Sequence, residues 1–142
     1  MLKTIGDMRL LAVDDSAVAL RILKVMLASL SVKQIYTAKD GREAIGFLGS
    51  SDELVDLVLC DWNMPSISGL EVLRQVRSVD PDLPFVMVTG MADEQAVVEA
   101  RAAGVTAYII KPYTQDQLAK ILTRIQRMLN QRSNPAAAEK AH

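Results

Sequence analysis

Four apolar stretches of this sequence end abruptly in residues that could do chemistry. Met8 to Val13 runs into Asp14 and Asp15, Val55 to Cys60 into Asp61, Pro84 to Val88 into Thr89, and Ala107 to Ile110 into Lys111. Three carboxylates brought together, with a hydroxyl and an ammonium nearby, would suit a site for a hard cation. Carboxylates crowded together raise one another's pKa unless a cation lies among them. Mg²⁺ fits such a set, because it prefers oxygen ligands, keeps several waters and commonly takes only one or two carboxylates beside phosphate oxygens. A calcium loop would need a spaced acidic pattern with a late glutamate, which is absent. Taken singly, each residue has a plainer explanation. Asp15 or Ser16 would cap a helix, and Asp61 would be a turn residue ahead of Pro65 and Gly69. Thr89 would be an ordinary strand residue, and Lys111 a solvated lysine before Pro112. Only if the fold brings these run ends together do they make one site.

The runs, with Gln34 to Ala38 as a fifth, are short and rich in β-branched residues, and they read as strands. Helical patterns alternate with them. Asp40 with Glu43, Ser68 with Glu71 and Thr114 with Gln117 have capping-box spacing at helix starts. Gly104 is placed to stop the fourth helix after Ala103, and Gly49 with Ser50 and Ser51 to close the second. The last helix carries Leu118, Ile121, Leu122, Ile125, Met128 and Leu129 on one face. Alternating strands and helices imply an α/β fold, a doubly wound five-stranded parallel sheet. Continuous apolar runs suit strands buried on both faces, while Gln34-Ile35-Tyr36-Thr37-Ala38 alternates and belongs at an edge. The strand order 2-1-3-4-5 follows, with a ligand crevice beyond the carboxyl ends of the first and third strands. Asp14, Asp15 and Asp61 then converge, with Thr89 and Lys111 on the same sheet edge. Coincidence at four run ends is far less probable than a single site.

These residues are recognisable together. Through Val13-Asp14-Asp15-Ser16, Asp61-Trp62-Asn63-Met64-Pro65, Gly69-Leu70-Glu71, Thr89 and Lys111-Pro112, the chain resembles the receiver domain of two-component response regulators. Stand-alone CheY-like chemotaxis regulators are the closest likeness, over about Met8 to Met128, and they imply a flavodoxin-like (βα)5 fold. The resemblance implies that Asp61 is the phosphoacceptor, and that Asp14, Asp15, Asp61 and the Asn63 backbone carbonyl hold Mg²⁺. It further implies that Thr89 and Lys111 bind phosphoryl oxygens, that Thr89 and Tyr108 form a conformational switch, and that the Lys111–Pro112 peptide is cis. Two positions depart from the family pattern. Ser68 stands where an aspartate often precedes Gly69, and Met91 where chemotaxis regulators often have an acid. Met91 is expected to shield the acyl phosphate from water, and Gly90 to leave room for the phosphodonor.

The sole histidine, His142, lies at the end of the sequence, so the phosphoryl donor is expected to be a separate histidine kinase or histidine phosphotransfer protein. Output is expected in trans, to an unidentified protein bound through the face of the fourth helix, fifth strand and last helix. The expected organisation is an amino-terminal lead over 1–7, one receiver domain over 8–131 and a disordered tail over 132–142. At 142 residues the chain suits one domain, and its formal net charge of −1 gives no bulk reason to bind nucleic acid or membrane. No segment reads as a signal peptide or membrane span, and a cytoplasmic location is expected. Cys60, the only cysteine, excludes an internal disulfide and is expected to be an inert core residue. Trp62 is open between an exposed partner contact and loop packing. A nucleotide or flavin protein would need a phosphate-cradling loop where Asp14-Asp15 stands. A haloacid-dehalogenase-type phosphatase would need a second aspartate where Asn63 stands, and the intact acids, Thr89 and Lys111 argue against a degenerate scaffold.

Overall fold

The computed structural model describes residues 2–50 and 54–133. After a 3₁₀ turn at Ile5–Asp7 come β1 (Arg9–Val13), α1 (Ala17–Ser29), β2 (Gln34–Ala38), α2 (Gly41–Ser50), β3 (Leu57–Cys60) and α3 (Gly69–Val79). They are followed by β4 (Phe85–Thr89), α4 (Glu94–Ala102), β5 (Ala107–Ile110) and α5 (Gln115–Ser133). The five strands are parallel in the order β2-β1-β3-β4-β5, with β2 at one edge as its alternating sequence implies.

Period-2 alternation along the strands divides the core between the two faces of the sheet. Leu10, Ala12, Leu57, Leu59, Val86 and Val88 meet Leu23 and Leu27 of α1 and Leu118, Leu122 and Ile125 of α5. Leu11, Val13, Val58, Cys60, Phe85 and Met87 face α2, α3 and α4. The helices start where the caps place them. Thr114 and Gln117 form a reciprocal box, the Thr114 N–H donating to Gln117 Oε1 at 2.8 Å and the Gln117 N–H to Thr114 Oγ1 at 3.1 Å. Ser68 accepts from the Glu71 N–H and Asp40 from the Glu43 N–H. Ser16, not Asp15, caps α1, which leaves Asp15 free for other work.

The boundaries differ from the sequence reading in several places. Met8 closes the 3₁₀ turn rather than opening β1, and β3 begins at Leu57 rather than Val55. β4 is displaced by one residue and includes Thr89. Gly49 does not stop α2, which runs on through Ser50; Ser51 lies outside the described residues. Gly104 does follow the α4 cap at Ala103, in the left-handed region at φ +94°. The lead is bound to the body of the domain, since the Lys3 backbone is held by Gln126 and Asn130 and its ammonium by Asp56 at 3.0 Å. Arg132 and Ser133, expected in the tail, are the last residues of α5, because nothing in Gln131-Arg132-Ser133 breaks a helix; 134–142 lie outside the described residues. Among the described residues no helix is long and apolar enough to cross a membrane.

Candidate functional site

Hydrogen-bonding to neighbouring strands continues just past three strand ends and thereby places the candidate side chains. The Asp14 N–H donates to Ala38 O at 3.1 Å, the Asp61 N–H to Val13 O at 2.9 Å, and the Lys111 N–H to Thr89 O at 2.9 Å. Because β1 and β3 pair directly, with Val13 opposite Cys60, Asp14 and Asp61 stand side by side. Carboxylate oxygens of Asp14, Asp15 and Asp61 lie within 4.8 Å of one another, a grouping that could hold a metal ion.

Lys111 is the cation that reaches this group. Its Nζ donates to Asp14 Oδ2 at 2.7 Å and lies 3.6 Å from Asp61 Oδ2. Burial works against the Lys111 ammonium, but its hydrogen bond to Asp14 and the charges of Asp61 and Asp14 outweigh it, so its pKa stands above the ordinary lysine value. Asp14, only 6% exposed, also accepts the Ser16 N–H at 2.9 Å. Asp61 accepts the Trp62 N–H through Oδ1 at 2.7 Å, which orients the carboxylate and leaves Oδ2 toward Lys111. Three carboxylates against one ammonium leave an excess of negative charge, and this donor set of hard oxygens fits a divalent cation.

The loop after Asp61 folds back on itself. The Gly69 N–H donates to Trp62 O at 2.8 Å, and a Cβ at Gly69 would stand 2.1 Å from the Asp61 carbonyl oxygen. Gly69 is therefore required by close approach; the sequence signalled only a turn there. Ser66 takes φ +68° in the same loop. Trp62 is buried at 8% exposure, so loop packing, rather than an exposed partner contact, is its position. Asn63 is exposed beside it. Cys60 is buried, and burial, then the Asp61 and Asp14 charges, push its thiol far above the ordinary range, so it remains an unreactive thiol.

Thr89 is buried at the carboxyl end of β4, and its Oγ1 accepts the Met91 N–H at 3.4 Å. Tyr108, half-buried on β5, donates its hydroxyl to Met91 O at 2.7 Å. The two residues of the expected switch are thus joined through one peptide segment, a link invisible in the sequence. Burial, followed by the charges of Asp93 and Asp61, raises the Tyr108 pKa, so the phenol keeps the proton this bond needs. Gly90 is exposed, and a Cβ there would meet nothing within 4 Å. The Lys111–Pro112 peptide is cis. Beside the acids, a cleft of about 350 Å³ lies between α1 and the β5–α5 turn, walled by Ala19, Ile22, Met26 and Tyr113.

A doubly wound sheet carrying acids after β1 and β3, a hydroxyl at the end of β4 and a lysine after β5 has its candidate ligand crevice at a topological switch point. Residues 10–123 match the response regulator receiver domain, and the chain belongs to that family. It is 36% identical over 121 residues to the chemotaxis protein CheY-3 of Vibrio cholerae, covering 84% of this chain and 92% of that protein. It is 37% identical over 134 residues to a chemotaxis protein CheY homolog of Campylobacter jejuni, covering 93% of this chain and all of that protein. Among solved structures, a CheY-like receiver domain protein from Methanospirillum hungatei superposes with a TM-score of 0.75 at 30% identity, covering 84% of this chain and 94% of that one.

Proposed function

We propose that the chain is a stand-alone phosphoacceptor switch, in which Asp61 takes a phosphoryl group from a phosphohistidine of a separate protein. The observation that carries this reading is the charge balance at the sheet edge: of three grouped carboxylates two reach the Lys111 ammonium, and Asp61 Oδ2 is the oxygen it holds less closely. Asp14, Asp15, Asp61 and the exposed Asn63 backbone carbonyl would hold Mg²⁺. A bound Mg²⁺ would supply neutralisation of the phosphoryl oxygens where two like-charged groups must meet.

The chain's own residues do the rest. An Asp61 oxygen attacks phosphorus in line, the new O–P bond forming as the donor's N–P bond breaks. Lys111 is already protonated and within reach, so it can donate to a phosphoryl oxygen. The Thr89 hydroxyl accepts from Met91 in the resting protein and keeps its own hydrogen to donate to a phosphoryl oxygen. Movement of the hydroxyl toward that oxygen lengthens its already long contact with the Met91 N–H and so reaches Tyr108, biasing the α4–β5–α5 face toward a different arrangement. The apolar stripe Val18, Ile22 and Val25, exposed on α1 beside the cleft, gives the phosphoryl donor a surface to dock on. The relatives' names favour chemotaxis as the pathway, and on this reading the protein catalyses its own phosphorylation and acts on no other substrate. A cytoplasmic location follows from that role.

Incubation with Mg²⁺ and a small acyl phosphate, followed by peptide mapping, tests the assignment. A label on Asp61 that disappears in Asp61→Asn is expected; a label elsewhere, or none, would overturn it.

A further inference from the structure

The two ends of α4 are held very differently. Between them α4 rests on the core through only two buried residues, both alanines, Ala96 and Ala100, while Val98 is 56% exposed. Such small side chains bury little apolar area and interlock poorly, so the ends decide where the helix sits.

At the carboxyl end stands Arg77, projecting from the last turn of α3. Its Nε donates to Gly104 O at 2.9 Å, and its Nη1 donates to Leu83 O at 2.7 Å and Asp80 O at 3.1 Å. Gly104 is left-handed, and a Cβ there would lie 3.1 Å from Arg77 Nε, so the guanidinium seats against a residue without a side chain. The next residues are tied as well. Thr106 Oγ1 accepts the Phe85 N–H at 3.0 Å, and Arg124 of α5 donates to Thr106 O at 2.7 Å. The acceptors of these guanidinium bonds are backbone carbonyls in turns whose own geometry is fixed, as by Asp80 Oδ1 accepting from Asp82 and Leu83. Charge-assisted bonds from a rigid planar fork are strong and directional.

At the amino end the ties to the rest of the fold are few. Residues 92–95 are exposed, and Gly90 has open space around it. The hydrogen bonds among the described residues are the Tyr108 hydroxyl on Met91 O and the long contact from the Met91 N–H to Thr89 Oγ1, with the half-buried Met91 side chain against the core.

We propose that Arg77, supported by Arg124, is the fulcrum of the output face: it pins the carboxyl end of α4 and confines rearrangement to a swing of the amino end. Arg77 is a positioning residue, remote from the acidic site. The clamp stands on these bonds alone; its use as a fulcrum rests on the reading of Asp61 and Tyr108 given above.

Amide hydrogen exchange on the full, unmodified chain tests the clamp. Helix ends ordinarily fray, so the Ala103, Gly104 and Val105 amides exchanging roughly tenfold or more slower than those of Val97 and Val98 would mark a pinned end. In Arg77→Gln that difference is expected to vanish, and in Arg124→Gln, an exposed and gentler change, to shrink. Arg77→Lys, which keeps the charge without the fork, is expected to behave as Arg77→Gln does. Faster exchange at 103–105 than at 97–98 in the parent, or unchanged exchange in folded variants, overturns the clamp. With beryllofluoride and Mg²⁺, backbone shifts should decline from Asp93 to Val105 in the parent and lose that gradient in the variants. Equal shifts along α4 in the parent would overturn the fulcrum. Absence of label on Asp61 in the acyl-phosphate experiment would instead sink the functional reading, leaving the exchange comparison to decide the clamp.

Discussion

Gly69→Ala separates a structural requirement at the site from an ordinary turn preference. An added methyl at Gly69 would sit 2.1 Å from Asp61 O and 2.9 Å from both Asp61 C and Trp62 Cα. Contacts of Cβ atoms below 3.0 Å are not tolerated, so the start of α3 or the backbone carrying Asp61 must move by about 1 Å. All of the nearest atoms are backbone, and none can step aside by a rotamer change. Overpacking of this kind costs about 1–3 kcal/mol. Alanine is a better helix former than glycine by up to about 1 kcal/mol in a helix interior, but Gly69 is the first helical residue, where that gain is smaller. Displacement of Asp61, the proposed nucleophile, by about 1 Å is expected to slow phosphorylation roughly 100-fold. Urea unfolding and the rate of labelling by an acyl phosphate measure the two effects. Gly46→Ala is the control: Gly46 lies in α2 with open space around it, so stability should rise by about 0.5–1 kcal/mol and the rate should hold. A Gly69→Ala protein as stable as the parent and phosphorylated within about threefold of its rate would refute the close-approach reasoning.

Asp61→Asn removes one negative charge from the crowded edge, so melting without Mg²⁺ should occur at higher temperature than in the parent, while phosphorylation and most Mg²⁺ stabilisation are lost; the parent should gain about 2.7 kcal/mol at 100-fold excess over its Kd. A metal-free melting temperature that fails to rise would count against electrostatic crowding. Met91→Asn or Met91→Glu should speed autodephosphorylation several-fold by admitting water, read as the decay of labelled protein; equal decay rates would remove Met91 from any shielding role. Because the Lys111 pKa is raised in the folded state, its stabilising contribution is complete below the unfolded lysine value of about 10.4 and is lost as pH climbs through the folded value; Lys111→Met should flatten that alkaline loss in melts between pH 9 and 11.5. Beryllofluoride with Mg²⁺ should tighten partner binding by roughly 5- to 150-fold, and Tyr108→Ala should reduce that ratio more than it reduces phosphorylation; perturbations confined to α1 and α2 would place the output face elsewhere.

Much of this protein was legible in one dimension because its information is local. Period-2 and period-3.6 apolar patterns specify strands and helices through burial. The parallel order then follows because right-handed crossovers admit few alternatives. Asp14, Asp15, Asp61, Thr89 and Lys111 could be read as one set for the same reason: each stands immediately after an apolar run, and parallel strands end on a common edge. Element boundaries were less legible. Gly49 sits inside α2 and Arg132 inside α5, because the helix runs on past residues that merely permit a stop.

What tertiary structure alone decided are contacts between residues far apart in sequence whose types are individually unremarked. Nothing in the chain announces that Gly69 lies against the Asp61 carbonyl, or that Lys111 sits nearer to Asp14 than to Asp61. Nor does it announce that Tyr108 reaches Thr89 through Met91, or that Arg77, in the last turn of α3, grips the turn after α4. Propensity and pattern act over a few neighbouring residues, whereas these relations depend on sheet register and on the angle at which each helix packs. The sequence by itself determined which groups could do the chemistry; the packed fold decided which of them touch.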